Sequence, residues 1–120
     1  MFEVRAEPVD DGTVVVRVVG EVDLTVSAVL EQTLLDAATT TGVRGVVVDL
    51  GDLRFLDSSG VHALVKGYLA ARDAGLVYTV RRARGVVARV LAVTGVAAAL
   101  GMPDEAGQAA ADRRAPGEPG

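Results

Sequence analysis

The residues of this chain that are best suited to chemistry are a carboxylate and two hydroxyls in the turn Asp57-Ser58-Ser59-Gly60. A run of buried-strand character precedes the turn and an amphipathic-helix pattern follows it, so a helix is expected to begin there. Backbone N–H groups without partners at a helix N-terminus favour oxyanions. The sequence therefore predicts that this turn is the chemical centre of the protein.

The same residues also have purely structural interpretations. Serine is a common N-cap, so Ser58 or Ser59 could simply begin the helix, a role worth about 1 kcal/mol. Asp57 could act only as a turn former. Gly60 is interpreted as a position that needs small bulk or a close approach of the backbone. Capping by one of the two hydroxyls is compatible with a chemical role for Ser58.

His62 is the only imidazole of the chain and lies four residues after Ser58, which invites comparison with serine hydrolases. Such an enzyme needs a histidine that accepts the serine proton, an orienting acid and an oxyanion hole. Here a helical turn separates the two residues, and the glycine pattern of a nucleophile elbow is absent. We therefore expect no enzyme. His62 and Lys66 lie off the apolar stripe of their helix, where they either contact a partner or are solvated.

The composition of the 120 residues excludes several classes of protein. Half of the residues are hydrophobic and 23% are charged, as in one globular domain, and no apolar run approaches the roughly 20 residues that cross a bilayer. The absence of cysteine excludes thiol chemistry, and a single histidine excludes a multi-histidine metal site within one chain. The N-terminus lacks the order of a secretory signal, so a cytoplasmic protein without a cofactor is expected.

The charges give a mixed signal about partners. The net charge of −4 argues against nucleic acid, because neutralisation of a phosphate backbone needs a positive surface. The chain nevertheless contains a local cluster of basic residues, called the basic cluster below: Arg81, Arg82, Arg84 and Arg89. The cluster is either the solvated start of a helix or a basic patch for phosphate or for an acidic protein partner.

The first third of the chain predicts a β-hairpin followed by a helix. The alternating segment 2–8 and the β-branched run 13–19 are typical of two strands joined by a turn at residues 10–12. Apolar residues at helical spacing then predict a helix from residue 24 or 25 to about residue 38. Asp23 precedes this helix and is either its N-cap or a functional residue.

The remainder of the chain alternates strand and helix. The apolar run 45–50 is typical of a strand that is covered on both faces, and residues 51–56 are predicted to be a connection. The helix that begins at the Asp57 turn is expected to end at Gly75, in a left-handed C-cap. Four further elements are predicted: a strand at 76–80, a helix at 84–93 with its sheet-covering stripe at Val86, Val87, Val90 and Leu91, a short strand at 97–102, and a helix at 106–112.

This order predicts a single-domain α/β fold with an N-terminal β-hairpin, a mixed but mostly parallel sheet, and helices packed on it. Sites in such sheets lie in the loops beyond the carboxyl ends of the strands. The turns at residues 20–23 and 57–60 both follow strands, so they are expected to meet. Residues 1–112 are predicted to be the domain, and residues 113–120 a disordered tail.

Four segments of the chain, taken in order, resemble one known family. They are Gly20-Glu21-Val22-Asp23, Val46-Val47-Val48-Asp49-Leu50 with Asp52-Leu53, Phe55-Leu56-Asp57-Ser58-Ser59-Gly60-Val61, and Val90-Leu91-Ala92-Val93-Thr94-Gly95-Val96. Together they resemble a STAS domain, and specifically the bacterial anti-sigma-factor antagonists. The resemblance extends from about Val4 to Gly101. It implies a STAS fold for residues 1–112, and Val61-His62-Ala63 departs from the usual small continuation of the motif.

The resemblance implies a function without catalysis. An unphosphorylated antagonist of this family binds an anti-sigma factor that is also an ATP-binding serine kinase, and so frees the sigma factor. Phosphorylation of the motif serine by that kinase ends the interaction, and a serine phosphatase restores it. By motif position the phosphorylated residue is Ser58. Asp23, Asp57 and Ser59 match family positions around it and, with Gly60 and His62, are the candidates for the partner or phosphate site.

Two alternatives from other classes remain at this point. The chain could be a STAS module that binds a small ligand, or that acts as a scaffold or lipid-transport component, without phosphorylation. An enzyme is the third class, and it would need a base or a metal site that the sequence does not offer. The phosphoacceptor-type serine favours the antagonist, with no nucleic-acid and no membrane partner.

Overall fold

The computed structural model describes residues 1–100, which form a four-stranded sheet with helices packed on it. Strands β1 (Phe2–Asp10) and β2 (Thr13–Val22) form the predicted antiparallel hairpin. Strands β3 (Gly45–Leu56) and β4 (Val77–Arg81) then add in parallel, so the order across the sheet is β1-β2-β3-β4. The prediction of a mixed, mostly parallel sheet is confirmed, and β1 lies at one edge of it.

Helices connect the parallel strands as the strand–helix alternation predicts. Helix α1 (Ser27–Thr39) leads from β2 to β3, α2 (Ser58–Asp73) leads from β3 to β4, and α3 (Gly85–Val93) follows β4. Helices α1 and α2 contact each other and the sheet. Their apolar stripes and the inner sheet face form the core, in which the largest fully buried side chains include Leu30, Leu34, Leu64, Val16, Val18 and Val48.

A close contact between α1 and α2 depends on Gly67. A Cβ atom at this position would lie 3.0 Å from the Cβ of Leu34 and 2.8 Å from the hydroxyl of Tyr78. That hydroxyl is buried and donates a hydrogen bond of 2.9 Å to the carbonyl of Leu64. Burial raises the pKa of Tyr78, so the phenol stays a neutral donor. Glycine thus allows helix, helix and strand to meet at one point.

The end of α2 follows the predicted left-handed cap. Gly75 has a φ of 75°, and its N–H donates to the carbonyl of Arg72, while the N–H of Leu76 donates to Ala71 at 2.8 Å. These two bonds form a Schellman motif, which satisfies the last carbonyls of the helix. The motif turns the chain directly into β4.

Two boundaries differ from the prediction. Residues 51–56 are not a connection but the second half of β3, because Asp52, Leu53, Phe55 and Leu56 continue to pair with β2 past two register irregularities. Helix α1 begins at Ser27 instead of residue 24 or 25, after a turn that occupies residues 24–26. Strand β3 therefore extends up to the Asp57 turn without a loop between them.

The predicted strand at 97–102 is wrong where the structure describes it. Residues Val96–Ala99 form a short helix, α4, after Gly95 in the left-handed conformation with a φ of 78°. Alanine is the best helix former and a poor strand former, so the run of alanines follows its intrinsic preference. The predicted helix at 106–112 and the tail at 113–120 lie outside the described residues.

We expect the substitution Gly67→Ala to lower the free energy of unfolding. Overpacking at the α1–α2 contact costs about 1–3 kcal/mol, which opposes a gain of about 1 kcal/mol in helix propensity. Urea denaturation measures the net change in the free energy of unfolding. The control is the same substitution in a Tyr78→Phe background, where the nearest atom is gone and the loss should be smaller. A stabilised Gly67→Ala protein would contradict the contact.

Candidate functional site

The site lies where the parallel strands β2 and β3 end side by side. Val22 pairs with Leu56 at the end of the ladder, and the N–H of Asp57 donates to the carbonyl of Val22 at 3.2 Å. This bond joins the first residue after β3 to the last residue of β2. The predicted meeting of the turns at residues 20–23 and 57–60 is therefore confirmed.

Asp57 is the N-cap of α2. Its Oδ1 atom accepts hydrogen bonds from the N–H of Ser59 at 2.9 Å, from the N–H of Gly60 at 3.2 Å and from the hydroxyl of Ser59 at 2.5 Å. The carboxylate thus satisfies two of the free N–H groups at the start of the helix. The interpretation of Ser58 or Ser59 as the N-cap is wrong, since both residues lie inside the first turn.

Ser58 and Ser59 differ in the state of their hydroxyls. Ser59 is half-buried, and its hydroxyl donates to Asp57. Ser58 is the first helical residue and is exposed, and its hydroxyl takes no part in the hydrogen bonds that Asp57 accepts. Of the two serines, Ser58 is therefore the one that an approaching reagent or partner can reach.

The turn at Asp23 repeats the chemistry of the turn at Asp57. The Oδ1 atom of Asp23 accepts from the N–H of Thr25 at 3.0 Å and from its hydroxyl at 2.6 Å. Asp23 therefore caps the turn that precedes α1, while Val26 holds the N-cap position of the helix. The interpretation of Asp23 as the N-cap of this helix is wrong. Thr25 was not among the candidates, although the pattern of Asp followed two residues later by Ser or Thr occurs after both strands.

Both carboxylates are held in their ionised form. The hydroxyl of Ser59, and to a lesser extent the backbone N–H groups of Gly60 and Ser59, lower the pKa of Asp57. The hydroxyl of Thr25 lowers the pKa of Asp23, and the nearby charge of Asp57 opposes that shift. Within residues 1–100, neither carboxylate forms an ion pair with a basic side chain. The two turns at residues 20–23 and 57–60, which together are called the corner below, thus present two negative charges without a matching cation among the described residues.

Gly60 lets α2 approach the ends of the two strands. A Cβ atom at Gly60 would lie 3.0 Å from both the Cβ of Leu56 and a methyl group of Val22. These distances are shorter than ordinary van der Waals contacts, so any larger residue would push the helix away from the sheet. The interpretation of Gly60 as a residue of close approach agrees with this packing.

His62 and the basic cluster take no part in the hydrogen bonds that Asp23 and Asp57 accept at the corner. His62 is exposed on α2, one helical turn after Ser58, and Lys66 follows on the same exposed face, with its Nζ 4.0 Å from a carboxylate oxygen of Glu31. Arg82 and Arg84 instead contact β3 upstream of its end, through Asp49 and the carbonyl of Gly51. Among the described residues, no group of acidic and histidine side chains is arranged to hold a metal ion.

None of the helices formed by residues 1–100 combines the length and the apolar character that a bilayer crossing requires.

The family model of the STAS domain matches residues 6–108. The chain belongs to the STAS domain family. The predicted boundary at residue 112 stays a prediction.

Solved structures of anti-sigma factor antagonists share this fold. An antagonist from Mycobacterium paratuberculosis is 26% identical, with a TM-score of 0.73, and the match covers 91% of this chain and 93% of that one. The Bacillus cell fate determinant SpoIIAA in its phosphorylated form is 22% identical, with a TM-score of 0.68 and a coverage of 92% and 98%. The match to the murine anion transporter Slc26a9 is 16% identical, with a TM-score of 0.65, and covers 76% of this chain but 15% of that protein.

We expect Asp57→Ala to destabilise the protein by about 1 kcal/mol at neutral pH, the usual loss for an N-cap. Because the pKa of Asp57 is lowered in the folded state, its contribution is complete above the unfolded value of about 3.9 and disappears as the pH falls through the lowered folded value. Urea denaturation over a range of pH should therefore show the wild type and the variant converging in acid.

Asp52→Ala provides the control for this experiment. It removes an exposed carboxylate from β3 itself and not from a helix N-terminus, so it should change the free energy of unfolding less. A loss of the same size in both variants, or a difference that does not depend on pH, would contradict capping by Asp57.

Proposed function

We propose that the chain is an anti-sigma-factor antagonist, and that a serine kinase which is also its anti-sigma factor switches it off by phosphorylating Ser58. One observation carries the choice of residue: Ser58 is exposed at the first turn of α2, whereas the hydroxyl of Ser59 donates a hydrogen bond to Asp57. Membership of the STAS family and the likeness to the mycobacterial antagonist support the choice of function.

The start of α2 can accept a phosphate without loss of the fold. A phosphoserine adds about −1.5 to −2 charges, and a helix N-terminus favours an exposed anion by about 0.3–1 kcal/mol. Ser58 is exposed, so an added phosphate can extend into solvent. The modification is therefore expected to change the surface of the corner and not its backbone.

The same charge opposes the docking of a partner. Asp23 and Asp57 are ionised beside Ser58, so a phosphate brings a third and larger negative charge to one small surface. A partner that binds the unmodified corner would have to desolvate this dianion against two like charges. Loss of the complex follows from desolvation and repulsion, and no conformational change is required.

Two other proteins would catalyse the modification of Ser58 and its reversal. The kinase transfers the terminal phosphoryl group of ATP to the Ser58 oxygen and releases ADP, while a base of the kinase takes the hydroxyl proton. A phosphatase later hydrolyses the phosphate ester with water, which returns the Ser58 hydroxyl and releases inorganic phosphate. In this proposal the chain is a substrate without its own catalysis or cofactor, and the exchange takes place in the cytoplasm, where ATP is available.

Substitutions at Ser58 should separate folding from binding. Ser58→Ala should bind the partner kinase and stay bound in the presence of ATP, because no phosphate can be added. Ser58→Asp should fold normally but bind at least about tenfold more weakly, as expected when a charge must be desolvated in an interface. Pull-down with the kinase measures binding, and circular dichroism measures folding.

Ser59→Ala is the matched control for the site of modification. After incubation with the kinase and ATP, mass spectrometry should find one phosphate on the wild type and on Ser59→Ala, and none on Ser58→Ala. Phosphate on Ser59, or binding of Ser58→Asp equal to that of the wild type, would remove the proposed switch. An unfolded Ser58→Asp protein would show that the effect is not local.

The alternative of a STAS module that works without phosphorylation has no observation of its own. The likeness to Slc26a9 concerns the fold alone at 16% identity. The same incubation with kinase and ATP separates the two functions, since only the antagonist is expected to accept phosphate.

A further inference from the structure

The charges of the chain are segregated along its length. Residues 1–73 contain twelve acidic and six basic side chains, whereas residues 74–100 contain four arginines and no acidic residue. The four arginines are those of the basic cluster, between the end of β4 and the middle of α3. One part of an acidic protein thus carries a concentrated positive charge.

Arg82 anchors this cluster to the sheet. Its Nε atom lies 3.2 Å from Oδ1 of the buried Asp49, which also accepts from the N–H of Gly51 at 2.9 Å. Arg82 has a φ of 66°, a left-handed conformation that is strained for a residue other than glycine. The ion pair with a buried carboxylate favours this conformation of the turn after β4.

The other three arginines of the cluster carry their charges at the surface. Arg84 donates from Nε to the carbonyl of Gly51 at 3.1 Å and keeps its charge at the surface. Arg81 and Arg89 are exposed as well, and within the described residues none of the three pairs with a carboxylate. The buried carboxylate of Asp49 is already paired with Arg82 and, at 3.9 Å, with Arg17.

Helix α3 continues the charged surface with apolar residues. Val87 and Leu91 are buried, whereas Val86 is 53% exposed and Val93 is 78% exposed. Val86, Arg89 and Val93 are three and four residues apart, so they lie on one outer face of the helix. The prediction that Val86 covers the sheet is therefore wrong, and its side chain belongs to a surface of alternating valine and arginine.

We propose that Arg81, Arg84, Arg89, Val86 and Val93 form a docking surface for an acidic amphipathic segment of a protein partner. Carboxylates of the segment would pair with the arginines, and its apolar side chains would cover the two valines. The bidentate geometry of arginine suits carboxylates. The surface is built on β4 and α3 and so adds a second contact to the proposed partner exchange at Ser58.

Other charged partners fit this surface less well. Single-stranded nucleic acid is bound without sequence preference through aromatic stacking together with positive charge, and residues 79–100 contain no aromatic side chain. The acidic remainder of the chain would also repel a long polyanion. A membrane surface requires a larger apolar face than the two exposed valines of a nine-residue helix provide. The mixture of arginine and valine favours a short acidic protein segment.

Fluorescence anisotropy with a labelled peptide tests this surface directly. The probe is a peptide of glutamate and leucine at helical spacing, and a lysine–leucine peptide is its counterpart. The full-length protein should bind the glutamate peptide, and the affinity should fall with added salt. In the double variant Arg81→Gln, Arg89→Gln, binding should be about tenfold weaker, the loss expected from two surface ion pairs that act together.

The double variant Arg5→Gln, Arg72→Gln is the matched control, because it changes the net charge equally at exposed arginines on β1 and α2. It should bind the peptide as the wild type does, and so should Ser58→Ala, which keeps this test independent of the switch. Circular dichroism checks that each variant is folded. An equal loss of affinity for the glutamate peptide in both double variants would contradict the proposed docking surface. So would a wild-type protein that binds the lysine peptide as tightly as the glutamate peptide.

Two further outcomes would also overturn an acidic partner segment. The first is tighter binding of a single-stranded oligonucleotide or of anionic vesicles than of the glutamate peptide. The second is a sedimentation coefficient that rises with concentration in the wild type but not in the Arg81→Gln, Arg89→Gln variant, which would assign the surface to a second copy of the chain.

Discussion

The parallel pairing of β2 with β3 is the constraint on which the site depends. It brings Val22 and Leu56 to the same level, so that the N–H of Asp57 reaches the carbonyl of Val22. Two register irregularities within the pair adjust the longer strand to the shorter one. Gly60 then allows α2 to begin directly against both strand ends. With this pairing shifted by one residue, the two aspartate turns would no longer face the same surface.

Local patterns in the sequence predicted most of the elements, because apolar periodicity reports which face of an element is covered. They failed where the outcome depends on distant pairing. Residues 51–56 carry exposed charges at Asp52 and Arg54 and resemble a connection, yet the neighbouring β2 extends far enough to pair with them. The alanine run after Gly95 failed for the opposite reason, since intrinsic helix propensity prevailed where a sheet neighbour was expected.

The candidate site was predictable in its residues but not in its internal geometry. Three consecutive residues, Asp57, Ser58 and Ser59, are all good N-caps, and propensity does not distinguish them. The backbone decides: strand pairing holds Asp57 in extended conformation, so its carboxylate faces the first N–H groups and takes the hydroxyl of Ser59 as well. The position at which β3 ends therefore determines that the hydroxyl of Ser58, and not that of Ser59, stays outside these hydrogen bonds. Local sequence patterns do not report the end of β3, because it depends on pairing with β2.

The separation of charge gives the protein a property that no single contact describes. Positive charge is concentrated at β4 and α3, while the ionised aspartates lie beyond the ends of β2 and β3. Within residues 1–100, such a separation of charge creates a torque in the field of a charged protein before contact. The proposed phosphate at Ser58 would change the magnitude or the direction of the dipole moment. The modification would then alter the orientation of approach, and thus the rate of encounter, in addition to the stability of the complex.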